Sequence, residues 1–176
     1  MTRLVAVVGP SGAGKDTLMA AACAARPDLR AARRVITRPA DAGGEDYDAV
    51  TEDDFAQRVA AGDFALHWRA HGLGYGIPAR ELTGGGTVLM NLSRRVLADA
   101  AARFPGLTVL LVTAPPEVLA ARLAGRGRES AADQARRLDR ADDALPSGIA
   151  VRAVLNDGTP EQGLARFLDA LQPVRA

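Results

Sequence analysis

Five short apolar runs punctuate the chain: LVAVVG (4–9), RRVIT (33–37), TVLMNL (87–92), LTVLLVT (107–113) and VRAVLN (151–156). Most lack alternation of apolar and polar positions, which is the pattern of parallel strands covered on both faces. Between them lie segments with helical periodicity and readable starts. Thr51 with Asp54 forms a capping-box pattern ahead of Phe55 and Val59. Thr159, Pro160 and Gln162 open a last helix that carries Leu164, Phe167, Leu168 and Leu171. Strands alternating with helices predict an α/β fold, a parallel sheet flanked by helices and joined by right-handed crossovers.

Two stretches break the rhythm. Residues from about 38 to 80 are polar and glycine-rich and hold both histidines, both tyrosines and the only tryptophan. Residues from about 122 to 140 are a helical stretch dense in arginine. Both read as inserts standing above the carboxyl edge of the sheet, where open α/β folds bind ligands. The expected organisation is one domain over 1–176, with its core at 1–37, 81–121 and 141–176.

Composition changes this picture in few places. A net charge of +1 gives no bulk reason to expect a nucleic-acid or membrane partner. Cys23 is the single cysteine, so no internal disulfide is possible and a reducing cytoplasm is the expected location. The first strand begins too early for a signal sequence, and no apolar run is long enough to span a bilayer. Of the 22 basic residues, Lys15 is the only lysine.

That lysine stands in the most informative stretch. Gly9, Pro10, Ser11, Gly12, Ala13, Gly14 and Lys15 fit the pattern G-x-x-x-x-G-K, between a strand and a helix. Such a loop turns backbone N–H groups toward phosphate oxygens, and the helix behind it points its positive end the same way. Lys15, a compact rotatable charge, would reach the outer phosphates of a nucleoside triphosphate and stabilise charge during transfer. A serine or threonine on magnesium usually follows. Here Asp16 stands in that place with Thr17 one position on, so the magnesium partner is open between the two.

Three further stretches, VITRP…GGEDYDAV (35–50), GDFALHWRAHGLGYG (62–76) and RLAGRGRE (122–129), resemble guanylate kinase-like proteins in order and spacing. The resemblance covers nearly the whole chain and ends at LNDG (155–158), the family's adenine-side loop. It implies a P-loop fold with an acceptor-binding insert at about 38–80 and an arginine-rich lid at about 122–140. Arg38, Tyr47 and Tyr75 would then grip the acceptor's phosphate, Arg122 and Asn156 would serve ATP, and Arg122, Arg126, Arg128 and Arg137 would meet the charge in flight. ATP with Mg2+ is the implied cofactor pair.

The departures narrow the acceptor. Guanine presents donors on its 2-amino and N1–H edge, and reading them takes carboxylates. Leu66 stands where the family has a glutamate, Asn91 and Ser93 stand where it has a D-x-D, and RPADAGGE lacks the family's second arginine. A purine left without those acceptors binds poorly. What remains suits a small sugar phosphate, and six stretches (GPSGAGKD, ITRPADAGGED, FALHWRAHGLGYGI, VLMNLSR, RGRE and LNDG) resemble the ribose 1,5-bisphosphate phosphokinases of phosphonate breakdown. That resemblance implies ATP-dependent conversion of ribose 1,5-bisphosphate to 5-phosphoribosyl 1-diphosphate, with Asn91, Ser93 and Arg94 on the ribose or its second phosphate. His71 and Glu45 would line the same pocket.

The alternatives are a guanylate kinase, a non-catalytic binding domain of the same fold, and a kinase of a hydroxyl substrate using Asp46 or Asp48 as base. Several residues also have plain structural readings. Asn91 and Ser93 can cap the helix that follows. His67 reads as structural, Trp68 as packing, and some of Arg136, Arg137 and Arg140 as solvated surface pairs. No Cys/His cluster has metal-ligand spacing. Oligomeric state is left open.

Overall fold

The computed structural model describes residues 1–42, 45–125 and 145–172. Among them a five-stranded, all-parallel sheet forms the base. Its strands are β1 (Arg3–Val8), β2 (Leu29–Ala31), β7 (Thr87–Asn91), β8 (Thr108–Thr113) and β9 (Val151–Leu155), in the spatial order β2-β7-β1-β8-β9. The remaining strands, β3 (Arg34–Ile36), β4 (Tyr47–Ala49), β5 (Phe64–Ala70) and β6 (Leu73–Pro78), make a second sheet ordered β4-β3-β6-β5. Among the described residues five α-helices accompany them: α1 (Lys15–Ala25), α2 (Glu52–Ala60), α3 (Leu97–Arg103), α4 (Pro116–Gly125) and α5 (Pro160–Ala170).

Alternation along β1 shows why the apolar runs were continuous. Val5 and Val7 join Leu18, Met19, Leu110, Phe167 and Leu171 in a core beneath α1 and α5. Ala6 and Val8 face the other way, into a core with Met90, Leu97, Ala100 and Val109. Both faces are dry, so no polar residue can alternate in. The capping signals hold as well. Thr51 accepts a hydrogen bond from the Asp54 N–H at 3.1 Å, and Thr159 with Gln162 completes a reciprocal capping box at the start of α5.

The structure departs from the sequence expectation in the run RRVIT. This run does not extend the base sheet. Its strand β3 pairs antiparallel with β6 and parallel with β4, and β2 takes the edge place beside β7. An apolar run marks a buried strand without marking which sheet buries it. The polar β2, with Leu29 as its one buried residue, is tolerated because an edge strand has only one neighbour.

The stretch 38–80 is accordingly more than a loop insert. FALHWRA carries a strand's burial pattern: Leu66 and Trp68 are buried while His67 and Arg69 are exposed, and a register shift between Phe64 and Leu66 turns Phe64 into the opposite face. Leu66, Trp68 and Ile77 press this sheet onto the core shared with α3, and α2 closes its far side through Phe55, which meets Phe64 at 5.1 Å between ring centroids. A side chain at Gly76 would overlap the Phe64 ring, so glycine there lets the ring close while Tyr75 faces the opposite way. The second sheet is thereby held as a wall over the carboxyl end of β1 and β7. Among the described residues, no helix is long and apolar enough to cross a membrane.

Candidate active site

The glycine loop leaves the end of β1, the central strand, and enters α1. At Gly9 the backbone φ is +151° and any side chain would run into the Val112 carbonyl on β8, so the loop can leave the sheet here only as glycine. Behind the loop sit two residues expected on the ATP side. Asn156, buried at the end of β9, donates from Nδ2 to the Ala13 carbonyl at 2.8 Å. Arg122 on α4 donates to the carbonyls of Gly12 at 3.2 Å and Asn156 at 2.8 Å. Both therefore brace the loop from outside; neither lines the cleft in front of it. Arg166 pins the neighbouring turn by donating to Asp157 at 2.8 Å, and this bond holds the Asp157 carboxyl below the usual carboxylate range.

In front of the loop lies a cleft of about 260 Å³. It brings together Gly9, Pro10, Ser11, Gly12, Gly14, Lys15 and Asp16 with Arg38, His71, Tyr75, Asn91, Ser93 and Arg94. Lys15 lies along the loop, its Nζ donating to the carbonyls of Gly9 at 2.8 Å and Pro10 at 3.3 Å. Asp16 accepts a hydrogen bond at 2.5 Å from Nδ2 of Asn91. That bond spans from the first turn of α1 to the end of β7. Ser93 does cap, accepting from the Arg95 N–H at 3.4 Å.

The opposite wall is the second sheet. Thr37 accepts from the Gly74 N–H at 2.8 Å and bonds Glu52, whose carboxyl this bond, with Arg69, holds below its ordinary range. Next to it, Arg38 lies over the Tyr47 ring with its guanidinium carbon 4.4 Å from the centroid. Its Nε and one Nη are buried and have no hydrogen-bond partner among the described residues. Trp68 and Tyr75 stack at 5.4 Å and both line the cleft, so Trp68 packs and borders the site at once. His71 occupies the tip of the β5–β6 hairpin at φ +53°.

Some expected residues stand elsewhere. Tyr47 is buried beneath Arg38, its hydroxyl donating to the Pro39 carbonyl, and Glu45 sits behind the wall against two arginines; neither borders the cleft. Thr17 is exposed on α1 and, unlike Asp16, does not border it. Arg126, Arg128 and Arg137 lie outside the described residues. Asp46 and Asp48, the candidate bases for a hydroxyl acceptor, pair with Arg33 at 3.2 and 2.7 Å, away from the cleft. Two cleft arginines went unnamed in the sequence reading: Arg95, adjacent to Arg94, and Arg34 at the start of β3.

A phosphate loop on the central strand of a parallel sheet, facing a basic cleft built by a second sheet, defines a P-loop kinase with a guanylate kinase-like fold. The crystal structure of guanylate kinase from Anaplasma phagocytophilum superposes with a TM-score of 0.62 at 19% identity, covering 97% of this chain and 84% of that one. No family model matches the chain. Among curated proteins, ribose 1,5-bisphosphate phosphokinase PhnN of a Ruegeria species is 54% identical over 98% of this chain and 93% of its own length. The protein of the same name from Agrobacterium fabrum is 47% identical over 96% of each. The chain belongs to the ribose 1,5-bisphosphate phosphokinase family.

Proposed function

We propose that this chain transfers the γ-phosphoryl group of ATP to the 1-phosphate of ribose 1,5-bisphosphate, giving ADP and 5-phosphoribosyl 1-diphosphate. One observation carries the reading: the cleft facing the glycine loop is lined by Lys15, Arg34, Arg38, Arg94 and Arg95, and among the described residues Asp16 is its only carboxylate. Asp16 belongs to the loop side. Among the described residues nothing acidic faces the cleft on the acceptor side, because Leu66 is buried in the core and Glu45 is committed to Arg34 and Arg38. A purine edge rich in donors would find no carboxylate there among the described residues, whereas phosphate oxygens find cationic donors throughout. Two buried nitrogens of Arg38 support this: they make no hydrogen bond among the described residues, one of them only standing 3.7 Å from Glu45, and a buried N–H without an acceptor is costly until an anion supplies one.

The chemistry follows from the acceptor. A bond forms between an oxygen of the 1-phosphate and the γ-phosphorus as the bond from that phosphorus to the leaving ADP oxygen breaks. A phosphate monoester is largely dianionic near neutral pH, so no side chain need remove a proton. Asp46 and Asp48, held by Arg33 outside the cleft, are not needed. In this reading the chain's own work is alignment and charge stabilisation, by Lys15 and the loop N–H groups on one partner and by Arg38 on the other.

Magnesium accompanying ATP would neutralise phosphate charge when bound. Asp16 fits as its protein ligand, since it offers a hard carboxylate oxygen at the cleft's loop side and is oriented by Asn91. Arg126, Arg128 and Arg137 remain lid candidates, and a cytoplasmic location is part of the same proposal.

The test is ADP release from Mg-ATP with ribose 1,5-bisphosphate, GMP, AMP and gluconate offered separately. Turnover confined to the bisphosphate is expected. Preference for GMP overturns the reading in favour of a guanylate kinase, and no turnover with any acceptor favours a binding domain.

A further inference from the structure

We propose that Arg34 is a second anion-binding arginine of the acceptor cleft, taking the phosphate of the bisphosphate that does not react, and that Glu45 is the positioning residue for it. The inference rests on the bisphosphate reading above and adds to it where the second phosphate lies.

Arg34 opens β3 with a side chain only 9% exposed, yet it borders the cleft. Its guanidinium is fixed on three sides. Nε donates to Glu45 Oε2 at 2.9 Å and one Nη donates to Glu45 Oε1, a side-on bidentate pair. The other Nη donates to the Asn91 carbonyl at 3.1 Å, and the plane lies over Tyr75 with Cζ 5.2 Å from the ring centroid. A guanidinium carries five N–H groups. Three are used here, and among the described residues two remain for a ligand.

Arg38, just past the end of β3, shares two features of this design. It lies over Tyr47, and one of its Nη atoms is 3.7 Å from the same Glu45 oxygen. Each arginine thus rests on its own tyrosine ring, and one carboxylate stands between the two. Two guanidinium groups against one carboxylate leave the wall positive, with Arg94 and Arg95 adding charge from the turn after β7. A single phosphate needs one such fork, whereas an acceptor with two separated phosphates needs two.

A purely structural role explains less. A tie from β3 to the Asn91 carbonyl takes one donor, and a neutral amide could supply it without burying a guanidinium and a carboxylate. Pairing with Glu45 also leaves the guanidinium with further donors on a residue that borders the cleft, and a tie has no use for them.

The experiment compares wild type with Arg34→Gln and Arg34→Lys, following KM for the bisphosphate, KM for Mg-ATP, and competitive inhibition by ribose 1-phosphate and ribose 5-phosphate. For Arg34→Gln the bisphosphate KM should rise about tenfold or more, while the ATP value stays within about twofold. Inhibition by one monophosphate should weaken about tenfold and by the other less than about threefold, because Arg34 meets only one of the two phosphates. Arg34→Lys keeps the charge without the fork, and it should show the same asymmetry in smaller measure. The proposal is overturned if both monophosphates weaken alike, if neither does, or if ATP binding falls with them. If Arg34→Gln does not fold, Arg34→Lys is read by the same criteria. Failure of both to fold makes Arg34 a structural tie and overturns the proposal too. Wild-type choice between the bisphosphate and GMP reports separately on the functional reading.

Discussion

Gly163→Ala sets two physical effects of opposite sign against each other. Gly163 lies in the first turn of α5, where alanine is the better helix former by about 1 kcal/mol. Propensity alone therefore predicts a gain. Packing predicts a loss: the added methyl would overlap Oδ1 of Asn156, 3.3 Å from its Cγ, and stand 3.2 Å from Cδ2 of Leu18. To regain van der Waals distance the amide must move by roughly an ångström. The same amide donates to the Ala13 carbonyl at 2.8 Å, so the move weakens the brace behind the phosphate loop. Overpacking costs about 1–3 kcal/mol, and a buried carbonyl left unpaired costs about as much. Net of propensity, we expect destabilisation of about 1–3 kcal/mol, and each kcal/mol lowers Tm by roughly 2–4 °C at this chain length. Urea unfolding of Gly163→Ala, Asn156→Ala and the double variant measures it. With Asn156 already truncated only the 3.2 Å approach to the flexible end of Leu18 remains, so Gly163→Ala should become close to neutral, giving a coupling of about 2 kcal/mol. A single Gly163→Ala variant as stable as its parent would refute the argument.

Other outcomes follow from the same geometry. Lys15→Ala should abolish turnover while shifting stability by less than about 1 kcal/mol, because the ammonium bridges carbonyls of a loop that borders the cleft and is not packed in the core; urea unfolding beside the ADP assay separates the two. His71→Asn places a better turn residue at φ +53° and should leave stability unchanged or raise it by a few tenths of a kcal/mol, roughly. A bisphosphate KM that rises with it marks His71 as an acceptor contact, and an unchanged KM removes it from the site. Burial pushes the Cys23 thiol above its ordinary range. Because its folded value is the raised one, that contribution to stability is complete at neutral pH and is lost as pH rises through the folded pKa. Iodoacetamide should therefore alkylate native Cys23 far more slowly than unfolded Cys23 at pH 8; equal rates refute this.

What the sequence made legible was whatever is written locally. The phosphate loop is one uninterrupted motif, its strand and helix are its flanks, and the caps at Thr51 and Thr159 are read from residues three apart. Arg34 was not legible for the opposite reason. Arg33 and Arg34 are identical in kind and adjacent in sequence, and on a strand they must face opposite ways. Arg33 goes to solvent and pairs with Asp46 and Asp48, while Arg34 goes inward to Glu45. Which of the two turns in depends on pairing with β6, a contact about 40 residues away along the chain. Glu45 and Asn156 show the same limit. Their residue types suit a ligand, but contacts with Arg34 and the Ala13 carbonyl, set by the tertiary fold, place them behind the surfaces that ligands reach. The hairpin was the avoidable omission, since the alternation of FALHWRA is a strand signal in its own right.

A transfer that needs no base puts its whole demand on placement, and the polar contacts around the cleft answer that demand as one chain. Asp16 accepts from Asn91, the Asn91 carbonyl accepts from Arg34, Arg34 grips Glu45, and Glu45 also faces Arg38. This chain runs from the first turn of α1, across the end of β7, to the wall of the second sheet, and so ties the nucleotide side to the acceptor side. Each link is charge-assisted or shielded from water, where such bonds are strongest and where losing one partner strands the next. Truncating Asn91 leaves the carbonyl that Arg34 uses, but it strands Asp16 and shortens a residue that itself borders the cleft, so it should raise KM for Mg-ATP and for the bisphosphate together, whereas Arg34 variants should move only the acceptor's. An Asn91→Ala enzyme with one KM changed and the other untouched would mean that the two sides are built independently.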